Sequence, residues 1–247
     1  MEVWAHRGVS AKAPENTLPA FLAAIQLSER LPLAGIEMDV HLTSDGIPVV
    51  CHDETVNRTA QVRGTIAQMT FEELCALDFS QVKDRDFAEF APCRIMTLQQ
   101  VLEVVKPSKL KLNIELKTDK NPYPGIEDVV ATAVREAGMQ ERVVVSSFNQ
   151  ESVARFRGLA KDIPVAFLFK YPPFHLKRGI ESGRWSAIHP RFSCVGQAMV
   201  NDAHAHGMEV RSYTVDDPKQ ALRLAKLGAD AIFANDPEAM IGVLAGE

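Results

Sequence analysis

The chain has 247 residues, 46% of them hydrophobic, and a formal net charge of -5. That length suits one α/β barrel of ~250 residues or two small domains, with enough apolar material for a large core. Mild acidity without basic blocks argues against general nucleic-acid or anionic-membrane binding. Cys51, Cys75, Cys93 and Cys194 are too far apart for a CxxC motif, so neither a zinc knuckle nor a redox pair is indicated. No basic-then-apolar leader precedes the first strand-like run, and no apolar run approaches the ~18 residues of a membrane span. The expectation is a reduced, cytoplasmic protein without stable membrane insertion.

In chain order, Val3–His6 opens as a strand. Asn16 and Thr17 followed by Pro19 start a helical pattern through Phe21, Leu22 and Ile25. Gly35–Leu42 is the second strand, and Asp45-Gly46 behind it is a strong two-residue hairpin signal that folds Ile47–His52 back antiparallel. From 54 to 107 the rhythm breaks. Two short helical patterns carry capping boxes at Thr70/Glu73 and Thr97/Gln100, beside a charged stretch, Lys83–Glu89, and no clear strand. This reads as a small helical insertion on the mouth side of a barrel. Strand runs resume at Leu110–Leu116, Val143–Phe148, Val165–Phe169, Ala187–His189, Glu209–Val215 and Ala229–Ala234, separated by helical spacings such as Ile126, Val129, Val130, Ala133 and Val134. Gly207 and Gly228 sit where helices end, and Asp217-Pro218 and Asp236-Pro237 read as N-cap then Pro at N1. Strands alternating with helices imply a parallel sheet. Nine strand candidates less the hairpin return leave eight. The predicted fold is an α/β TIM (β/α)8 barrel, one domain over 1–247, with the insertion at 54–107. A doubly wound open sheet is the rival, but no Gly-rich nucleotide loop supports it.

Barrel chemistry sits at the C-terminal ends of strands, and these ends are polar. The first strand ends in His6-Arg7-Gly8, the second carries Glu37 and Asp39, a later one carries Glu115 and Lys117, and the hairpin return ends in His52-Asp53. Residues two apart share a strand face, which aligns Glu37 with Asp39 and Glu115 with Lys117. If Asp45 and Gly46 are the two loop residues, Asp39 lies opposite His52 with Cβ atoms ~5 Å apart. Clustered carboxylates repel unless neutralised; a hard divalent cation does this, and oxygen ligands favour Mg²⁺ or Ca²⁺ over Zn²⁺. Two histidines beside it suit general acid/base work, and Arg7 and Lys117 suit a phosphate. Taken singly, each residue has a plainer reading. Glu115–Lys117 alone is an ion pair, and His6 alone a satisfied core histidine. The buried charge of Glu37-x-Asp39 resists such a reading, and the joint pattern points to phosphoryl-ester hydrolysis.

Val3-Trp-Ala-His-Arg-Gly8, Ala13-Pro-Glu-Asn-Thr17, Ile36-Glu-Met-Asp-Val40, Thr43-Ser-Asp-Gly46, Pro48-Val-Val-Cys-His-Asp53, Asn113-Ile-Glu-Leu-Lys117 and Ser146-Ser-Phe148 together resemble the glycerophosphodiester phosphodiesterase family, in order and over almost the whole chain. The resemblance implies a TIM barrel that hydrolyses glycerophosphodiesters to sn-glycerol 3-phosphate and an alcohol, with one divalent metal ion, Mg²⁺ or Ca²⁺. It implies Glu37, Asp39 and Glu115 as metal ligands, His6 and His52 as the acid/base pair, Arg7 and Lys117 on the phosphate, and Phe148 and Tyr213 beside the substrate. Tyr213 stands where the family usually has Trp, Asp216 where it has Asn, and Asn235-Asp236-Pro237 replaces Thr-Asp-x-Pro. These departures spare the metal site and bear on head-group choice.

Other features have plainer readings. His41 is assigned behind the ligands or at the surface, His204 and His206 to solvent, His189 to loop support, and Cys51 to the core. The aromatics Phe169, Tyr171, Phe174 and Trp185 are assigned to barrel-to-helix packing, with a lid as the alternative. A lysophospholipid phosphodiesterase, a catalytically silent phosphodiester-binding barrel and a sugar-phosphate aldolase or isomerase are the rival functions. The partner is a small-molecule phosphodiester, with self-association left open.

Overall fold

The computed structural model describes residues 1–82 and 85–246; Lys83 and Asp84 of the charged stretch lie outside the described residues. Its strands are β1 (Glu2–His6), β2 (Leu33–Leu42), β3 (Pro48–Val50), β4 (Met96–Thr97), β5 (Lys111–Leu116), β6 (Val143–Ser147), β7 (Val165–Phe169), β8 (Ala187–Pro190), β9 (Glu209–Ser212) and β10 (Ala231–Ala234). Eight of them close a parallel barrel in the order β1-β2-β5-β6-β7-β8-β9-β10, sealed by β1 pairing with both β2 and β10. The helices are α1 (Leu18–Ser28), α2 (Phe71–Cys75), α3 (Leu98–Val105), α4 (Ile126–Glu136), α5 (Gln150–Leu159), α6 (Leu176–Glu181), α7 (Gln197–Ala205), α8 (Pro218–Leu227) and α9 (Pro237–Ala245). None is long and apolar enough to cross a membrane.

The period of two along each strand sorts side chains between two environments. Val3 and Ala5, Ile36, Met38 and Val40, Leu112, Ile114 and Leu116 point outward into the main core beneath the helices. Trp4, Val144, Ala166, Ala187, Ala231 and Phe233 form a separate cluster inside the barrel. The Trp4 ring occupies so much of that interior that a Cβ on Gly35 would lie 2.6 Å from it. Above this apolar plug the same inward parity presents His6, Glu37, Asp39, Glu115 and Lys117, so the polar residues collect at the C-terminal mouth.

The caps act where the sequence places them. Thr70 and Thr97 form capping boxes with Glu73 and Gln100, and Asp217 and Asp236 accept backbone N–H bonds ahead of Pro218 and Pro237. Thr17 is the cap residue of α1 but makes no side-chain cap bond.

The hairpin register differs from the expectation. Val40 pairs with Val50, His41 with Val49 and Leu42 with Pro48. Thr43 N–H bonds Ile47 O and Gly46 N–H bonds Thr43 O, with Gly46 at φ 79°, which makes a three-residue loop of Ser44, Asp45 and Gly46. The extra residue slides the return strand by one, so Cys51, not His52, lies across from Asp39; its N–H bonds Asp39 O at 3.0 Å. Cys51 is buried with Val49, Val56, Ala60, Ile66 and Leu74 in a second cluster beside the mouth. Burial, with the charges of Glu15, Asp53 and Asp39, pushes its thiol up to about 12.

Within 54–107, β4 adds a short strand that pairs with β3. The last helix of that segment, α3, packs on α1 and α4 as one of the barrel's outer helices. Phe167, Phe169 and Trp185 are core residues, with Phe167 stacked on Trp185 at 4.9 Å. Tyr171 and Phe174 are exposed on the loop after β7.

Candidate active site

Strand register brings the carboxylates together. His6 is the neighbour of Glu37 across β1–β2, and Asp39 is the neighbour of Glu115 across β2–β5. Glu37, Asp39 and Glu115 are buried, and each offers an oxygen within 4.8 Å of the others. Burial raises Glu37 well above the ordinary carboxyl range, and the charges of Asp39 and Glu115 raise it further. Burial also raises Glu115, against the pull of Lys117. Asp39 is the exception. Burial opposes its ionisation, but the charges of His52, Lys117 and Arg7 and a 2.9 Å bond from Asn16 Nδ2 outweigh it and hold the carboxyl below its usual range. One ionised and two resisting carboxylates within reach of one ion make a donor set that a hard divalent cation fits, because its charge relieves the repulsion that lifts Glu37.

The cations lie beside the triad. Lys117 Nζ donates to Glu115 Oε1 at 2.8 Å and sits 3.5 Å from Asp39 Oδ1. Arg7 Nε is 3.4 Å from Asp39 Oδ2, Arg7 Nη1 donates to Glu15 Oε1 at 2.9 Å, and its backbone N–H donates to Glu37 Oε2 at 3.1 Å. Arg7 holds φ at 60°, a conformation that costs a non-glycine residue ~1–2 kcal/mol. The next residue explains how the chain turns there. Gly8 has φ 76°, and a Cβ on it would meet the Ala20 backbone at 2.6 Å, so α1 lies directly against the turn that aims Arg7.

Both histidines reach the site, each with Nδ1 committed to a partner. His6 Nδ1 donates to Asn235 Oδ1 at 2.7 Å, which turns Nε2 toward the acidic side, 3.8 Å from Glu37 Oε2. Burial, reinforced by the Arg7 charge, pushes His6 down to about 3 despite Asn235. His52 stands just past β3, and its Nδ1 donates to Asp53 Oδ1 at 2.6 Å. Phe148 and Tyr213 meet edge to face at 5.8 Å and form an aromatic wall. All nine sequence-selected residues thus lie around one mouth.

Residues 6–239 match the model of the Glycerophosphoryl diester phosphodiesterase family. The chain belongs to this family. It is 36% identical over 246 residues to a glycerophosphodiester phosphodiesterase of Caldanaerobacter subterraneus subsp. tengcongensis, covering 98% of this chain and 97% of that one. It is 35% identical to another from Bacillus altitudinis, over 98% of this chain and 97% of the relative. The barrel superposes with a TM-score of 0.89 on a solved chain from Silicibacter pomeroyi at 26% identity, over 100% and 93% of the two chains. It superposes at 0.86 on an Oleispira antarctica phosphodiesterase in complex with the product sn-glycerol-3-phosphate, at 30% identity over 99% and 97%. Membership makes the barrel that of an enzyme, a phosphoric diester hydrolase, and sets aside the sugar-phosphate aldolase.

Several residues of this family member escaped selection from the sequence. Asn16, read as a helix start, instead bonds Asp39 from a left-handed backbone at φ 58°. Glu15 beside it binds two arginines, Arg7 and Arg58. Both belong to the Ala13–Thr17 motif, whose sequence marked its presence but not its direction. His41 is buried, with Nε2 bonded to His52 O at 3.2 Å and Nδ1 accepting from the Tyr123 hydroxyl at 2.9 Å. It stands behind the candidate ligands, one of the two places assigned to it. Two of the three family departures touch each other. Asp216 accepts from Asn235 N–H at 2.7 Å and from Asn235 Nδ2 at 2.6 Å, so Oδ1 is the atom left for His6.

Proposed function

We propose that this chain hydrolyses glycerophosphodiesters such as glycerophosphocholine or glycerophosphoethanolamine to sn-glycerol 3-phosphate and an alcohol, with one divalent ion held by Glu37, Asp39 and Glu115. The observation that carries the reading is the buried triad with an oxygen from each residue within 4.8 Å, flanked by two histidines whose Nδ1 atoms are already engaged. The product complex of the Oleispira relative supports the glycerol 3-phosphate half.

Arg7 and Lys117 hold the phosphoryl oxygens, Arg by its planar fork and Lys as a point charge. One histidine takes the proton from the nucleophile, either water, which yields glycerol 3-phosphate directly, or the substrate's own glycerol hydroxyl, which yields a cyclic phosphate that water then opens. As the phosphorus–oxygen bond to the alcohol breaks, the other delivers a proton to the departing alkoxide oxygen. Such transfers are each worth roughly 10²–10⁴-fold in rate. Phe148 and Tyr213 offer the glycerol an apolar wall. A bound Mg²⁺ or Ca²⁺ supplies positive charge where the phosphoryl oxygens gain negative charge.

The test is release of glycerol 3-phosphate from the two substrates with EDTA, then with Mg²⁺ or Ca²⁺ restored. Metal-restored release is expected. No release under any metal sinks the reading. Tyr171 and Phe174, exposed at 68% and 106% on the loop after β7, favour a second reading, a lysophospholipid whose acyl chain rests on that rim. Faster turnover of the lysolipid than of glycerophosphocholine identifies it.

A further inference from the structure

Arg58 lies in the excursion after β3, outside the barrel strands, yet its guanidinium faces the site. Its Nε donates to Asp53 Oδ2 at 2.8 Å. Its Nη1 and Nη2 donate to Glu15 Oε2 and Oε1 at 2.7 and 2.6 Å, a two-pronged fork. Each carboxylate passes the contact on. Asp53 uses its other oxygen, Oδ1, to accept from His52 Nδ1. Glu15 Oε1 also accepts from Arg7 Nη1. One guanidinium therefore stands behind both a histidine and an arginine of the site. The charges fit this arrangement. Asp53 and Glu15 are held below the usual carboxyl range, burial being outweighed by bonds to His52 and Arg58 in one case and to Arg58 and Arg7 in the other.

We infer that Arg58 is a positioning residue for the reaction. Through Asp53 it fixes the tautomer and direction of the His52 ring, leaving Nε2 for proton transfer. Through Glu15 it fixes the direction of Arg7. Its own three bonded nitrogens all face carboxylates of the protein, so it works through its neighbours. This rests on the reading of His52 as one of the two acid/base groups. The His52 backbone is already anchored by His41 Nε2 on its carbonyl, so the ring direction is the freedom that Asp53 and Arg58 remove. Supporting polar partners behind a site are commonly worth 10–100-fold in function.

The experiment compares Arg58→Gln, Arg58→Lys, Asp53→Asn, the double variant Arg58→Gln/Asp53→Asn and His52→Ala in glycerol 3-phosphate release from the metal-loaded full chain. Arg58→Gln is expected to lower kcat by about 10–100-fold, with a smaller rise in KM through Arg7, and Mg²⁺ or Ca²⁺ affinity measured by calorimetry is expected to stay unchanged. Arg58→Lys keeps the charge but not the two-sided fork, so its kcat falls between that of Arg58→Gln and the parent; it carries the test should the glutamine variant fold poorly. The double variant loses no more than the worse single change, because Asp53 acts only through the ring that Arg58 already governs. Raised KM with full kcat would make Arg58 a substrate-binding group and overturn the inference, as would additive losses. Full activity of Arg58→Gln with an inactive His52→Ala overturns the positioning role alone. Full activity of His52→Ala removes the assigned function of His52 and the inference with it.

Discussion

At the scale of single residues, the site is an arrangement of charge that burial makes expensive and neighbours make tolerable. Glu37 is the most frustrated member, raised by burial and by two carboxylates. Glu37→Gln removes a proposed ligand and part of that repulsion together. Calorimetric titration is expected to show Mg²⁺ or Ca²⁺ binding weakened by at least about tenfold, while the metal-free protein melts no lower than the parent. Unchanged metal affinity would show that the ligands are wrongly assigned. Strand parity in the sequence aligns Glu37 with Asp39 and Glu115 with Lys117, whereas Phe148 and Tyr213 come only from the family resemblance and the expected pairing of His52 with Asp39 is off by one residue. The sequence conceals Asn16, Glu15 and Arg58, because loop residues point where backbone geometry sends them. The left-handed conformation of Arg7 has no signature in residue type, whereas Asn16 is a residue type that adopts it readily.

At the scale of elements, the β1–α1 connection is the tightest joint. Gly8 combines φ 76° with a separation of 2.6 Å between a hypothetical Cβ and the Ala20 backbone. Gly8→Ala is expected to cost about 2–4 kcal/mol, from left-handed strain plus overpacking against a helix that cannot yield. That is read as a lower denaturant midpoint with an unchanged m-value. Turnover falls too, since Arg7 precedes it. Wild-type stability in that variant would mean that α1 can move away. The Asp45-Gly46 turn shows how far local pattern reaches. Its glycine does adopt the left-handed conformation that the dipeptide signals, but two-residue and three-residue loops share that signal, and the register follows the length. His52 reaches the site from beyond the ladder, not from across it.

At the scale of the whole molecule, the barrel's closure was legible from the alternation of strands and helices, because a parallel sheet buried on both faces writes itself as apolar runs. The second cluster was legible only as a break in that rhythm. Its packing depends on contacts between Val49, Cys51, Ile66 and Leu74, whose spacing along the chain follows no period. Interior burial also sets a pH response for the fold. His189 is fully buried against Phe233 at 5.2 Å, instead of supporting a loop, and burial, with the charge of Arg211, holds its pKa well below the usual value of 6.5. His41, pushed down mainly by burial to about 4, acts the same way. Below about pH 6.5 the unfolded chain takes up protons that these folded rings refuse. The contribution of these two rings is therefore full above pH 6.5 and declines as pH falls, by about 1 kcal/mol per pH unit for each, until the folded ring itself titrates. Melting temperatures between pH 7 and pH 5 are expected to fall, and His189→Leu to flatten that slope. An identical slope in the variant would relieve His189 of the effect.

The provenance of the site's parts has a practical corollary for engineering. The carboxylates belong to β2 and β5, staves of the barrel itself, whereas His52, Asp53 and Arg58 ride on the excursion after β3. On the proposed reading, the metal-holding carboxylates and His6 lie on barrel strands, and His52 with its supports lies on a separate stretch. If the proposed function holds, a foreign loop grafted between Leu42 and Met96 keeps the carboxylates, His6 and Lys117 and removes His52, Asp53 and Arg58 together. The excursion is then a replaceable cassette for one half of the acid/base pair.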